Sequence, residues 1–428
     1  MKRYYLWTIG CQMNEADSWR VAESLNNLGY AVTHRPEEAD IIVLNTCVVR
    51  QSAEDKVYGR LSSLQPIKQK RPETLLALMG CAVGEDTSPL RQRFPYVDLF
   101  VRPSDTESLI DFIASRNGAV THQQPVTSIQ HPISCYVPVV YGCDHLCTYC
   151  IVRLRRGRQR SRSPAEIVDE VRCLVERGAR EVVLLGQNVD AYGCDRPDRP
   201  TLAGLLKAIH DLDGLWRIRF LTSHPADMSD ELIEVVARLP KVCEHIEIPV
   251  QSGDDEVLKR MLRRYTVTRY RELVAKLREW IPDVALATDV IVGFPGETEK
   301  QFMNTCDLLR EIRFDVVHVA AYSPRPGTAA SRLPDDVPPQ EKERRRKAVE
   351  DLQEQIAGEI NARLLGQTVE VLVEERHKGK WRGRTRTNKL VFFEDEGDWR
   401  GKLAQVRITW TGPWSMQGVP SQSQSENH

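Results

Sequence analysis

The sequence predicts an α/β chain in three parts: an N-terminal open parallel α/β sheet, a central partial (β/α)6 barrel, and a small C-terminal β-barrel. Three observations predict it. Apolar runs alternate with amphipathic helical stretches over residues 1–117. A second such series, at 134–360, supplies six strand–helix units. The segment 363–424 has short alternating runs and no helical period.

In the first region YYLWTIG, DIIVLNT, TLLALMG and VDLFVRP read as strands, with EADSWRVAESLNNLGY and SAEDKVYGRLSSL as helices between them. Three of the strands run straight into a cysteine: Cys11, Cys47 and Cys81. Ligands of open α/β sheets gather at the carboxyl ends of strands, so a site built from these three thiols is expected. The competing reading is three half-buried structural cysteines. Residues 118–133 are polar, with two prolines, and read as a linker.

In the central region the strands are CYVPVVYG, EVVLLG, WRIRFLTS, HIEIPV, LATDVIVG and DVVHVAAYS. The first helix has a sharp start, with Ser163 as N-cap, Pro164 in the first turn and Glu166 closing a capping box. The charge-rich stretch from 336 to 365 reads as one long connecting helix with a solvated face, ending at Gly366. TVEVLVE, WRGRTR, LVFF and LAQVRITW then read as strands, and the last dozen residues, including GVPSQSQSENH, as disordered.

Composition narrows the class. Of 428 residues, 41% are apolar and 28% charged, which excludes a fibre or a wholly disordered chain. No stretch approaches the roughly 18 to 20 apolar residues of a membrane span, and the N-terminus lacks an export signal, so a cytoplasmic location is expected. The eleven cysteines therefore favour metal ligation over disulfides.

The richest stretch is YGCDHLCTYCIVRLRRGRQRSR, which places Cys143, Cys147 and Cys150 directly before six arginines in ten positions. Structural zinc takes four closed ligands, and the nearby fourth candidate, His145, sits between two of the thiols. A four-iron cluster held by three thiolates keeps one iron open to another molecule. The loop follows the first barrel strand, at the face where barrel active sites are built.

The spacing C-x-x-x-C-x-aromatic-C, with Tyr149 as the aromatic, resembles the signature of radical S-adenosylmethionine (SAM) enzymes. TIGCQMNEADS, NTCVVRQSAEDKVYGR, GQNVDAYG, TSHP, PVQSGDDEVLKRMLRRYT, VIVGFPGETE and AYSPRPGTAA are similar in order and spacing to the methylthiotransferase family over nearly the whole chain. GCQMN, SAEDK and GRTRTNKLVFF resemble its tRNA-acting branch, which modifies N(6)-dimethylallyladenosine at position 37, beside the anticodon. The chain departs from the family after Cys150, where the family more often has a proline and an aromatic before Arg-Gly-Arg.

The resemblance implies two 4Fe–4S clusters: a SAM-binding one on Cys143, Cys147 and Cys150, and an auxiliary, sulfur-supplying one on Cys11, Cys47 and Cys81. SAM is expected against strand-end groups, namely Gln187, Asn188, Ser223, Gln251 and the turn at Gly293. No acid or base is assigned to catalysis, because the cofactors carry the bond chemistry. An electron donor and a sulfur donor are implied and unidentified. The alternatives are action on a threonylcarbamoyl-type adenosine or a ribosomal protein, or a non-catalytic zinc protein that binds RNA.

The C-terminal part resembles the TRAM module, a small RNA-binding β-barrel. Its segment RHKGKWRGRTRTNK has seven Lys or Arg, with Trp381 inside it and Phe392 and Phe393 just after. Phosphate contact and base stacking on a tRNA anticodon stem-loop are expected there, through Arg382, Arg384 and Arg386. A second basic focus, Arg156 and Arg158, is expected to meet the same RNA.

Overall fold

A computed structural model describes residues 1–48, 51–117 and 132–421, so most of the expected linker and the last seven residues lie outside the described residues. The N-terminal part contains β1 (Arg3–Thr8), α1 (Gln12–Asn27), β2 (Ala31–Val32), β3 (Ile41–Thr46), α2 (Gln51–Lys70), β4 (Leu75–Gly80), α3 (Ser88–Arg93), β5 (Leu99–Val101) and α4 (Thr106–Asn117). Its strands form a parallel sheet in the order β2-β1-β3-β4-β5. Every residue of β3 and β4 is buried, as central strands covered on both faces must be. The register pairs Thr8 with Asn45 and Thr46 with Gly80, so the chain leaves three neighbouring strands at one edge.

The central part contains β6 (Ser134–Pro138), β7 (Val140–Tyr141), α5 (Val152–Arg156), β8 (Arg160–Ser161), α6 (Pro164–Glu176), β9 (Glu181–Leu185), α7 (Leu202–His210), β10 (Arg217–Phe220), α8 (Asp230–Arg238), β11 (His245–Glu247), α9 (Asp255–Arg260), α10 (Val267–Trp280), β12 (Ala285–Val292), α11 (Glu299–Ile312), β13 (Val316–Ala321) and α12 (Pro339–Ala362). β6, β9 and β10 form one parallel sheet and β11, β12 and β13 another. A parallel bridge between Ile218 and Val242 joins them, giving the expected six-stranded partial barrel. The helices close over one large apolar core, in which Leu184, Ile218, Ile246, Leu286 and Phe314 are almost fully buried. Ser163 and Glu166 make the expected capping box, which sets where the loop after Cys150 ends.

Two sequence expectations are corrected. α12 is not simply a solvated charged connector: it lies along β13, and the Arg345 guanidinium is buried 2.9 Å from Glu297. Its regular turns stop at Ala362, and Gly366 follows in a left-handed conformation, φ 81°. The tail also folds further than expected, because Met416–Pro420 forms a strand. That strand closes a five-stranded barrel from β14 (Thr368–His377), β15 (Lys380–Arg384), β16 (Leu390–Phe393), β17 (Leu403–Thr411) and β18 (Met416–Pro420), in the order β14-β15-β16-β18-β17.

The small barrel is held to the partial barrel by buried arginines. Arg217 donates to the Arg384 carbonyl and to Glu370, both at 2.7 Å. Arg219 pairs with Glu181 at 2.8 Å and donates to the carbonyls of Thr385 and Arg386 at 2.6 Å each.

Candidate functional site

Cys11, Cys47 and Cys81 each follow a parallel strand by three residues or fewer, and strand order places the three strands side by side. Cys47 and Cys81 are buried and Cys11 is exposed. The edge is held by an amide ladder: Asn14 donates to Asn45 Oδ1 at 2.8 Å and to the Thr46 carbonyl at 3.0 Å, and the Cys81 N–H reaches that same carbonyl at 2.8 Å. Gly80 is required by geometry. Its φ is 96°, and a Cβ there would lie 2.5 Å from the Thr46 carbonyl oxygen. Only glycine turns the chain so tightly into Cys81.

Cys143, Cys147 and Cys150 lie on the loop between β7 and α5, and all three are partly buried. The loop is pinned from several sides. The Cys143 N–H donates to the Gly157 carbonyl at 3.3 Å, the Cys150 N–H to the Cys147 carbonyl at 3.1 Å, and the Thr148 N–H to the Met261 carbonyl at 3.1 Å. Tyr149 packs against Met261, Phe294 and Tyr322. Gly142, with φ 70°, lets the strand turn against the backbone of Gly157 and Arg158.

The thiols suit metal ligation. Burial pushes Cys150 up to about 12 and raises Cys143, with the neighbouring thiols adding to the effect. Burial likewise raises Cys81, while Arg156 opposes the rise. Thiols so placed ionise when a metal cation takes the proton's place. None of the described cysteines is in a disulfide.

Strand-end groups beside the second trio offer polar atoms with nothing to bond. Gln187 Oε1 and Asn188 Oδ1 are buried without partners. Such atoms are costly to bury unless a ligand satisfies them. Ser223, in contrast, donates to Asp190 Oδ1 at 2.9 Å. Gln251 sits at φ 68° and is held by its backbone to Asp289. At Gly293, with φ 69°, the N–H donates to Glu297 at 2.5 Å, and the Lys342 stem fills the space a side chain would take. Packing within the chain accounts for this glycine.

Sequence reasoning missed two supports, Arg263 and Asp227. The Arg263 guanidinium, buried against Tyr265, donates to Cys147 Sγ at 3.5 Å and to the Pro249 carbonyl at 2.9 Å. It lies in the run KRMLRRYT, where nothing local distinguishes it from Arg260 and Arg264. His145 Nε2 bonds Asp227 Oδ2 at 2.6 Å, and Asn188 donates to the same oxygen at 2.6 Å. The His145 ring stacks on His224 at 3.8 Å between centroids, so it serves loop anchorage. His224 is held neutral, its pKa lowered to about 3 by burial, with Arg263 and His145 adding to the effect.

A radical SAM superfamily model matches residues 137–309, a TRAM domain model residues 362–420, and the model of "Uncharacterized protein family UPF0004" residues 3–102. The chain is 54% identical to the tRNA-2-methylthio-N(6)-dimethylallyladenosine synthase of Roseiflexus sp. (strain RS-1), over 99% of this chain and 90% of that one. It is 52% identical to the enzyme of the same name from Chloroflexus aurantiacus, over 100% and 93%. The chain belongs to the tRNA-2-methylthio-N(6)-dimethylallyladenosine synthase family.

A solved structure of the radical SAM methyltransferase TsrM from Kitasatospora setae shares the fold, with a TM-score of 0.55 at 13% identity over 77% of each chain. For a member of the synthase family, the basic surface differs from the sequence expectation. Arg156 is not exposed: its side chain is 4% accessible and turned into the N-terminal sheet. Arg386 is turned onto the partial barrel, where it pairs with Glu244 at 2.6 Å and caps the carbonyls of Pro240 and Val242. Trp381 and Phe393 fill the small barrel's core and cannot stack on bases. Arg382 and Arg384 are partly exposed and face Glu375 at 2.8 Å and Glu374 at 3.6 Å on β14, and Arg384 lines a cleft shared with Gln12, His245 and Glu247. Arg158 is exposed, as are Trp410 and Trp414. Among the described residues no helix is long and apolar enough to cross a membrane.

Proposed function

We propose that the chain methylthiolates N(6)-dimethylallyladenosine beside the anticodon of tRNA, using two 4Fe–4S clusters and SAM. The observation that carries this reading is the pair of cysteine trios: each lies at the carboxyl ends of a parallel sheet, and Arg156 ties the two edges together. Cys143, Cys147 and Cys150 would hold one cluster, leaving its fourth iron to SAM, and Cys11, Cys47 and Cys81 would hold the other. When bound, these groups supply reductive radical chemistry and sulfur, which no acid–base pair of side chains offers at an unactivated C–H bond.

The protein's own residues position and enclose. Gln187 and Asn188 carry the unsatisfied oxygens suited to SAM's polar groups, and Gln251 shapes the same wall. Arg263 fixes the Cys147 thiol, and the Asp227 bond to His145 fixes the loop between Cys143 and Cys147. The family, and the tRNA named in its relatives, favour this over a protein substrate.

Mass spectrometry of tRNA nucleosides from cells lacking the protein tests the reading. Unthiolated dimethylallyladenosine is expected to accumulate at the expense of its 2-methylthio derivative; an unaltered profile would overturn the assignment. Anaerobically purified protein is expected to hold about eight irons, two clusters of four.

For RNA contact, the exposed Arg158 replaces Arg156 as the residue to probe beside the cluster loop. Arg158→Glu is expected to weaken tRNA binding several-fold and to reduce the salt slope of the affinity by about 1, as loss of one phosphate contact does. Filter binding at several salt concentrations measures it, and an unchanged slope removes Arg158 from the interface.

A further inference from the structure

Arg156 is the last residue of α5, the short helix that directly follows Cys150, yet its side chain ends inside the other cysteine site. Nη1 donates to Ser104 Oγ at 2.8 Å and lies 3.7 Å from Asp17 Oδ2. Ser104 in turn donates to Asp17 at 3.1 Å. The Arg156 charge is close enough to interact with the Cys81 and Cys11 thiols. Arg156 Nη2 and Asp17 Oδ1 are buried with no hydrogen-bond partner. A cation and a carboxylate are both almost fully removed from water here, at 4% and 0% side-chain exposure.

A buried pair held 3.7 Å apart, with its best-placed donor given to a serine, is poorly arranged for stability alone. At the other trio a second buried guanidinium, that of Arg263, donates to the Cys147 thiol. Each trio thus has one buried guanidinium close by.

We propose that Arg156 is a positioning residue for the auxiliary cluster: a fixed cation whose charge stabilises the reduced form of a cluster on Cys11, Cys47 and Cys81, with Asp17 setting how much of that charge the cluster feels. The inference rests on the assignment of a cluster to those three cysteines. Because α5 begins two residues after Cys150, the same side chain also fixes the distance between the two trios.

The test uses the full chain with Cys143, Cys147 and Cys150 replaced by alanine, reconstituted with iron and sulfide, so that a single cluster remains. Its reduction is followed by EPR-monitored titration. Arg156→Met is expected to favour the oxidised form at least tenfold, a fall of about 59 mV for one electron. Arg156→Lys, which keeps the charge, should restore most of the difference. Asp17→Asn should shift the equilibrium the other way, and it serves as the independent arm should Arg156→Met fail to fold.

A cluster-loaded Arg156→Met protein with an unmoved potential overturns the proposal, as does an unmoved or lowered potential in Asp17→Asn. If the three-alanine chain with Arg156 intact takes up no iron, the cluster assignment itself fails, a result distinct from an unmoved potential.

Discussion

Cys150→Ala is expected to abolish methylthiolation completely while removing only half of the bound iron, about four of about eight atoms. The side chain is one of three thiols whose charges interact, on a loop that Thr148, Tyr149 and Gly142 pin from outside. Deleting one sulfur therefore leaves the loop's path in place and removes a ligand. The other trio lies on a different sheet with its own amide ladder at Asn14 and Asn45, so its iron is retained. Iron and sulfide assay of the anaerobically reconstituted protein, together with nucleoside mass spectrometry, reads both effects. Cys194→Ala is the matched control, since Cys194 is exposed and belongs to neither trio. Loss of all iron in Cys150→Ala would show that the two sites do not load independently.

Arg219→Met is expected to destabilise the chain by about 3–5 kcal/mol and to loosen the small barrel from the partial barrel. Arg219 and Glu181 are both buried, at 2% and 3% side-chain exposure, and 2.8 Å apart. Removing the guanidinium leaves the Glu181 carboxylate buried, with Ser134 as its remaining side-chain donor among the described residues, at 2.8 Å. It also leaves the carbonyls of Thr385 and Arg386 without their donors. The turn that carries those carbonyls then holds to the barrel through Arg386 and Glu244, the Arg217 bond to the Arg384 carbonyl, and Lys389 on Asp315. Urea unfolding should show an earlier first transition, and limited proteolysis should release a fragment beginning near Gly366. Replacing both partners, Glu181→Leu with Arg219→Leu, should cost less than Arg219→Met alone, because no charge is then buried unpaired. Equal losses in the two proteins would mean that the carbonyl contacts, not the ion pair, carry the stability.

Much of this architecture is legible in the chain. The alternation of apolar runs and amphipathic stretches marks both sheets, since a strand buried on two faces reads as a continuous apolar run such as DIIVLNT. A glycine or polar residue at each of three strand ends followed by a cysteine marks the first trio, and the C-x-x-x-C-x-x-C spacing on one loop marks the second. The Ser163 capping box is equally local, because its donors and acceptors lie within four residues.

Charge was read less well, for a physical reason. The arginines from 153 to 162 form one basic run in sequence, yet Arg156 enters the N-terminal sheet, Arg162 meets Glu170 at 2.6 Å, and Arg158 faces solvent. Their helical and loop positions send neighbours in opposite directions, and what each meets belongs to segments far away in sequence. The acidic partners of Arg382, Arg384 and Arg386 likewise lie on β14 and before β11, outside the basic segment. β-strand alternation turns Trp381 inward and its neighbours outward.

The sequence by itself determined the three-part α/β order, the family resemblance and the six cysteines, because strand periodicity, turn glycines and ligand spacing are local properties of the chain. Only the tertiary structure decided which arginines are free to meet RNA and which are structural. It also decided that Arg156, in the helix after one trio, reaches Asp17 and Ser104 at the N-terminal sheet that carries the other. Long side chains find their partners across segments that the sequence separates, and a buried cation is held where an anion or a thiol compensates its lost hydration.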